Sequence, residues 1–363
     1  MNTEQIELLR KLCTTSALSG HEDPMIRIMR EQMSRYTKNI RVDGIGNVIA
    51  MLPAAHPGAP TLLIAAHMDE LGFVVRKVES DGFIRVNRLG GIPERVLAGQ
   101  PVALQTDGGG SRMGVIGLKS HHITPAEEKY VVVPVDKVYV DSSFTSAAAA
   151  RESGVHVGTP ITYRSFFEIV GDQIMSKSLD DRLGCYALLQ VLSTLQGKPL
   201  PVNVAFVATV HEEFSGRGSV VAATSVKPDM AIALDLGASL DTPDLKGGDD
   251  IRLRGGTAIT SYTFHPRGPL VGTLANPKLH AQMIATANRH GLPYQESVMF
   301  GGLTDVSYMQ YEGDGIPVLE ISIPARYTHS PIEVSAIGDV ENTIALLAAF
   351  VQELPTPFDL SRG

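Results

Sequence analysis

The chain has 363 residues, 44% of them apolar and 19% charged, with 31 basic against 39 acidic side chains and a net charge of −8. That balance, without any block of Lys or Arg, argues against a nucleic-acid or membrane partner, and no apolar run reaches the roughly 18 residues a membrane helix needs. The charged start MNTEQIELLRKL lacks the apolar stretch of a signal peptide, and Cys13 and Cys185 each sit in an apolar helical pattern, so the expectation is a cytoplasmic protein with buried thiols rather than a disulfide.

Two helices are expected first. Ile6, Leu8, Leu9, Leu12 and Cys13 mark one apolar face, and Asp23-Pro24 reads as an N-cap with proline at the first helical position. A hairpin follows, from Ile40 through the Gly44–Gly46 turn to Ile49. Thr61–Ala66 is a continuous apolar run, the pattern of a strand buried on both faces. From Leu71 to about Phe167 the texture changes to short alternating stretches split by Gly, Asp and Ser turns, with one helical pattern at Ser146–Ser153, which is the signature of a small β-barrel or sandwich. An α/β rhythm then returns: a helix near Arg182–Leu195, strands at 202–210 and 230–235, a helix capped by Asn276-Pro277, strands at 297–300 and 318–323, and a closing helix at 339–354. A single core stops growing at roughly 250–300 residues, so the chain is expected to hold two units. These are an α/β unit at 1–70 and 168–363, with a mainly parallel sheet flanked by helices, and an inserted β-barrel at 71–167.

Familiar catalytic signatures are missing: there is no HExxH, no G-x-S-x-G, no Walker A motif and no intact GxGxxG. What stands out is where acids and histidines fall. His67-Met-Asp69-Glu70 closes the first buried strand, Asp180-Asp181 precedes a helix, His211-Glu212-Glu213 closes a second strand, Asp235 ends a third and His329 follows a fourth. Each alone has a bland explanation as a cap, a turn or a solvated charge. In a parallel sheet, however, the carboxyl ends of strands share one edge, so these groups would converge there. Ionisable groups near a buried edge are costly unless paired or holding a metal. Two histidines and several carboxylates suit two divalent ions with a bridging carboxylate. Glu212 and Glu213, read as consecutive strand-end residues, would point in different directions, leaving one free to face a substrate.

These motifs resemble the M42 family of metallo-aminopeptidases. The resemblance runs almost end to end and is carried by Ala66–Phe73, Gly90-Gly-Ile-Pro-Glu-Arg-Val96, Lys177–Gly184, Val210–Glu213 with Arg217-Gly218, Ala233–Asp235 and Ile323–Pro331. It implies that Asp180 bridges two divalent metal ions, zinc foremost with cobalt or manganese as alternatives. His67 and Asp235 would complete one site, and Glu213 and His329 the other. Glu212 would be the general base, and Asp69 would orient His67. It also implies an inserted β domain for oligomerisation and a homo-oligomer, a dodecamer built from dimers. Ser215 departs from the family pattern, which has Gly there, and so does the stretch Asp141-Ser-Ser-Phe144.

The expected activity is removal of N-terminal residues from short peptides, a metal-activated water attacking the carbonyl while Glu212 takes its proton. One rival is a glycoside hydrolase of the endoglucanase type, which needs two carboxylates and no metal. The absence of Trp, on whose rings sugar clefts lean, weighs against it. The other rival is a non-enzymatic assembly protein of the same fold, disfavoured because no candidate ligand is missing.

Overall fold

The computed structural model describes residues 1–245, 251–265 and 272–362. Three strands open the main sheet: β1 (Ile40–Val42), β2 (Val48–Leu52) and β3 (Thr61–His67). The next six, β4 (Gly72–Val78), β5 (Ile84–Leu89), β6 (Pro101–Gln105), β7 (Ser111–Ile116), β8 (Tyr139–Asp141) and β9 (Pro160–Tyr163), close an antiparallel barrel in the order β4-β5-β8-β7-β6-β9. The chain then returns to the sheet with β10 (Phe167–Val170), β11 (Gln173–Ser176), β12 (Asn203–Thr209), β13 (Met230–Ala238), β14 (Thr257–Phe264), β15 (Tyr294–Phe300), β16 (Val318–Arg326) and β17 (Glu333–Ala336).

Among the described residues the sheet has eleven strands, ordered β1-β2-β12-β3-β13-β16-β17-β11-β10, with β14 leading from β16 to β15. Its centre, β12-β3-β13-β16, is parallel. Its margins are antiparallel except for the outer β14–β15 pair, which is parallel. The helices are α1 (Thr3–Thr14), α2 (Asp23–Met33), α3 (Ala147–Glu152) beside the barrel, α4 (Leu179–Leu195), α5 (Glu212–Ser215), α6 (Arg217–Val226), α7 (Pro277–His290), α8 (Asp305–Met309) and α9 (Ile337–Gln352).

The centre of the sheet is apolar on both faces, and the strand period of two sorts its residues between two cores. Leu62, Ile64 and Ala66 of β3 and Val204, Phe206 and Ala208 of β12 join Leu183, Leu188 and Leu192 of α4 and Phe350 of α9. The intervening Leu63, Ala65, Ala205 and Val207 pack with Ala222 and Ala223 of α6 and Val306 and Met309 of α8. Fully burying one such Leu, Val or Phe side chain contributes about 1.5–3 kcal/mol, so the sheet is covered on both sides and its strands read as unbroken apolar runs. The barrel has its own core, with Phe73, Val86, Val102, Leu104, Ile116, Val140 and Ile161 at its centre.

Several local expectations need correction. Asp23 is the first residue of α2 and not its cap: Glu22 holds the cap position and makes no capping hydrogen bond with its side chain. The strand expected at 297–300 begins at Tyr294. Strands β10, β11, β14 and β17 and helices α6 and α8 carry no periodic signal strong enough to read from sequence. No helix among the described residues is long and apolar enough to cross a membrane.

Candidate metal centre

The carboxyl ends of the parallel strands form one edge, and the structure gathers the seven sequence-derived site residues there. His67 is the last residue of β3. The pairing of β3 with β13 runs from Leu62/Met230 to Ala65/Ala233 and no further, so the two strands part just before His67 and Asp235. Between them comes Asp180, at the start of α4, where Asp180 (φ −75°, ψ 112°) and Asp181 (φ −111°, ψ 47°) are not yet helical. His329 lies in the turn between β16 and β17, with φ +65°.

Asp180 divides its two oxygens between the histidines. His67 Nε2 lies 3.0 Å from Oδ1, and His329 Nε2 lies 3.3 Å from Oδ2. Two sets of prospective ligand atoms result. Those of His67, Asp180 and Asp235 lie within 4.8 Å of one another, and so do those of Asp180, Glu213 and His329. Asp180 belongs to both. Glu212 belongs to neither and sits with its Oε2 3.9 Å from His67 Nε2, at the wall of a cavity of about 670 Å³. Arg88 and Pro93 line that cavity from the barrel side, and Phe300, Leu303 and Tyr308 from the sheet side. The loop 300–304 lines it, whereas 237–242 contributes only through Ala238.

The two glutamates diverge for a reason other than strand alternation. Strand β12 ends at Thr209, His211 takes a left-handed conformation, and Glu212–Ser215 form a single helical turn. Asp69 holds that turn. It is fully buried, accepts the backbone N–H of Glu212 and of Glu213 (3.1 Å each), and takes the Ser19 hydroxyl at 2.6 Å. It also faces His67, with Oδ1 3.4 Å from Nδ1, near enough for an ion pair but without the geometry of a hydrogen bond.

Two further buried acids, Asp181 and Glu333, the second of them not singled out from the sequence, do the same for other residues of the centre. Asp181 accepts the His67 N–H at 3.2 Å. Glu333 accepts the Asp180 N–H with one oxygen (3.0 Å) and the His329 N–H with the other (2.7 Å). Asp181 reads from sequence as part of a helix cap. Glu333 was legible only as an acid within the short run Ile332–Ala336, at a position that proves fully inward.

The electrostatics follow from crowding acids away from water. Burial, against the opposing His67 charge and with the carboxylates of Asp235 and Glu213, pushes Glu212 well above the usual range. Asp235 moves the same way, through burial and the neighbouring Asp180. Burial likewise lifts Glu213, to about 7. Asp180 also suffers burial, but hydrogen bonds from His329 and His67 prevail and hold it below the usual range. Both imidazoles resist their own burial and are raised by these carboxylates. Acids outnumber cations here. The cationic partners of Asp180, Glu212 and Glu213 among the described residues are the two imidazoles. The buried Glu213 Oε1 has no hydrogen-bond partner. Nitrogen and oxygen donors with surplus negative charge fit divalent cations, which would restore the ionised carboxylates.

A parallel sheet edge that gathers two histidines and shared carboxylates beside a cavity defines an α/β protein with a candidate two-metal centre. The chain belongs to the M42 glutamyl aminopeptidase family, whose sequence profile matches residues 46–346. It is accordingly an aminopeptidase, a peptide hydrolase. It is 42% identical over 344 residues to the Escherichia coli (strain K12) protein SgcX, covering 94% of this chain and 92% of that one. Its fold matches aminopeptidase APDkam598 from the archaeon Desulfurococcus kamchatkensis with a TM-score of 0.90 at 34% identity, covering 96% and 95% of the two chains. The Pyrococcus horikoshii TET1 peptidase, described as assembling into a tetrahedron or a large octahedral shell, matches with a TM-score of 0.85 at 29% identity, over 96% of this chain and all of that one.

Proposed function

We propose that this protein is a two-metal aminopeptidase that releases N-terminal residues from short peptides. The observation that carries the reading is the division of Asp180 between His67 and His329, which splits one cluster into two three-residue groups. His67, Asp180 and Asp235 would hold one ion, and Asp180, Glu213 and His329 the other. The donor set favours zinc, with cobalt or manganese as substitutes. When bound, such ions act as Lewis acids toward a carbonyl and lower the pKa of water.

The protein's own groups do the rest. Glu212, buried and outside both ligand groups, takes the proton of the attacking water on its carboxylate and returns it to the leaving amine. Asp69 fixes the turn that carries Glu212 and Glu213. The cavity walls, from Phe300 and Leu303 to Arg88, orient the peptide.

The reading also divides the chain into a catalytic unit at 1–70 and 168–363 and an inserted β unit at 71–167 that mediates self-association. Exposed Tyr130, Val131, Val132 and Val133 on the latter, together with the assembly described for the Pyrococcus horikoshii relative, support a homo-oligomer such as a dodecamer. A closed shell in the cytoplasm would admit short or unfolded peptides only. The test is metal analysis beside peptide turnover. Two ions per chain are expected, with release of N-terminal residues abolished by a chelator and restored by zinc. Chelator-insensitive release, or hydrolysis of glucans in its place, would count against the reading.

A further inference from the structure

We infer that the Gly90–Gly91 turn of the barrel is a positioning element for one ligand group only, that of Asp180, Glu213 and His329. The His67, Asp180 and Asp235 group is left to the sheet. The inference rests on the metal-centre reading above.

The two histidines are held in different ways. His67 has only 2% of its side chain exposed, against 36% for His329. The backbone N–H of His67 goes to Asp181 at the start of α4 and its Nδ1 faces Asp69 just after β3, both outside the barrel. The backbone N–H of His329 goes to Glu333, which fixes the position of the residue but not the rotation of its ring. The ring meets the barrel, where Nδ1 lies 3.2 Å from the Gly91 carbonyl oxygen. A carbonyl only accepts, so the proton of the neutral ring belongs on Nδ1. Nε2, directed at Asp180 Oδ2 (3.3 Å) and Glu213 Oε1 (3.9 Å), is then left with its lone pair for a metal.

The same turn reaches the group's other member. A Cβ on Gly90 would stand 3.2 Å from Glu213 Oε2, and only 2.0 Å from Leu71 Cδ2. With φ +86°, Gly90 is where the chain needs glycine both for conformation and for space. A Cβ on Gly91 would stand 3.1 Å from His329 Nδ1 and 3.4 Å from its Cε1. Two glycines thus let a barrel turn come close to Glu213 and His329. Partners that orient a ligating histidine typically matter by about 10–100-fold in metal affinity.

The experiment compares zinc binding by the intact protein and by Gly91→Ala. Gly108→Ala, a barrel position where an added Cβ meets nothing within 4 Å, serves as control. Gly91→Ala is expected to bind one ion as the parent does and the other about 10–100-fold more weakly. Anomalous diffraction should assign the weakened ion to the Asp180, Glu213 and His329 group, and Gly108→Ala should keep both. A second measurement needs no variant. Long-range proton–nitrogen correlation spectra of the zinc-loaded parent should show His329 protonated on Nδ1 and bonded to zinc through Nε2. The opposite tautomer, or parental affinity for both ions in Gly91→Ala, would overturn the inference and leave the two-metal reading standing. A parent that holds fewer than two ions would overturn both.

Discussion

Strands β3 and β12 bury six of their seven residues each, whereas β5 and β7 of the barrel alternate between inward and exposed positions. Both regions make well-filled cores, but the sheet is covered by helices on two faces and the barrel only fills its inside. The difference decides where an ionisable side chain carries information. Arg85, Arg88 and Arg112 in barrel strands stay in reach of solvent and find partners at the barrel surface, Arg85 in Glu79, Arg88 in the Ile92 carbonyl and Arg112 in the Ser142 carbonyl. His67 and Asp235 lie where both faces of the sheet are dry, and there a charged group persists only with partners or a metal. The same contrast explains the division of labour proposed for the site, in which the sheet supplies ligands and the barrel a single backbone turn.

The sharpest way to break the contrast is at the sheet edge. Glu212→Gln keeps shape and hydrogen bonding but cannot accept a proton, so turnover should fall by about 10²–10⁴-fold with both metals retained. Glu213→Gln should instead lose the ion shared with His329 and recover in part with excess metal. Turnover and metal content measured on both variants decide the matter, and near-normal turnover in Glu212→Gln would mean the base lies elsewhere.

The next effect asks whether the two cores are energetically separate. Phe206 in the sheet and Phe73 in the barrel are both fully buried, the latter edge-on to Tyr163 with ring centroids 6.1 Å apart. Truncating either to Ala should cost about 3–5 kcal/mol. Hydrogen exchange should report the loss chiefly in 203–209 for Phe206→Ala and in 72–78 for Phe73→Ala. Equal loss of protection in both segments for both variants would show one cooperative unit in place of two.

The smallest effect concerns a buried acid that the chemistry does not use. Glu320 in β16 accepts the hydroxyls of Thr263 and Thr304, and burial raises its carboxyl above the usual range despite these bonds. The folded state therefore holds this proton more tightly than the unfolded chain does. Stability from this group is full below the ordinary glutamate pKa and is lost as pH rises toward the folded value. Glu320→Gln cannot titrate, so the parent's advantage over it should be greatest in acid and shrink as pH climbs, as read by urea unfolding across pH. An advantage that grows with pH would reverse the sign.

The periodic elements were legible because their apolar pattern is local: the runs at 61–66 and 202–210 announce strands whatever surrounds them, and the alternation between 71 and 167 announces a small β-barrel or sandwich. The strands that escaped, β10, β11, β14 and β17, lie at the margins of the sheet, where most are four residues long and are strands only because a neighbour pairs with them. Glu333 escaped with β17. Its carboxylate matters because two chain segments far apart in sequence present N–H groups to it, and nothing within 332–336 records that. Glu212 and Glu213, which begin the helical turn at 212–215, were read as strand-end residues for a similar reason, since the left-handed His211 before them has no local sequence mark.

By itself, then, the amino-acid sequence determined that acids and histidines stand at the ends of dry strands, because hydrophobic periodicity and charge are properties of consecutive residues. Only the tertiary structure decided how those groups divide into two sets about Asp180, which buried carboxylates hold their backbones, and that a barrel turn reaches His329. Those relations are distances between segments up to hundreds of residues apart, and they exist only once burial has brought the segments together.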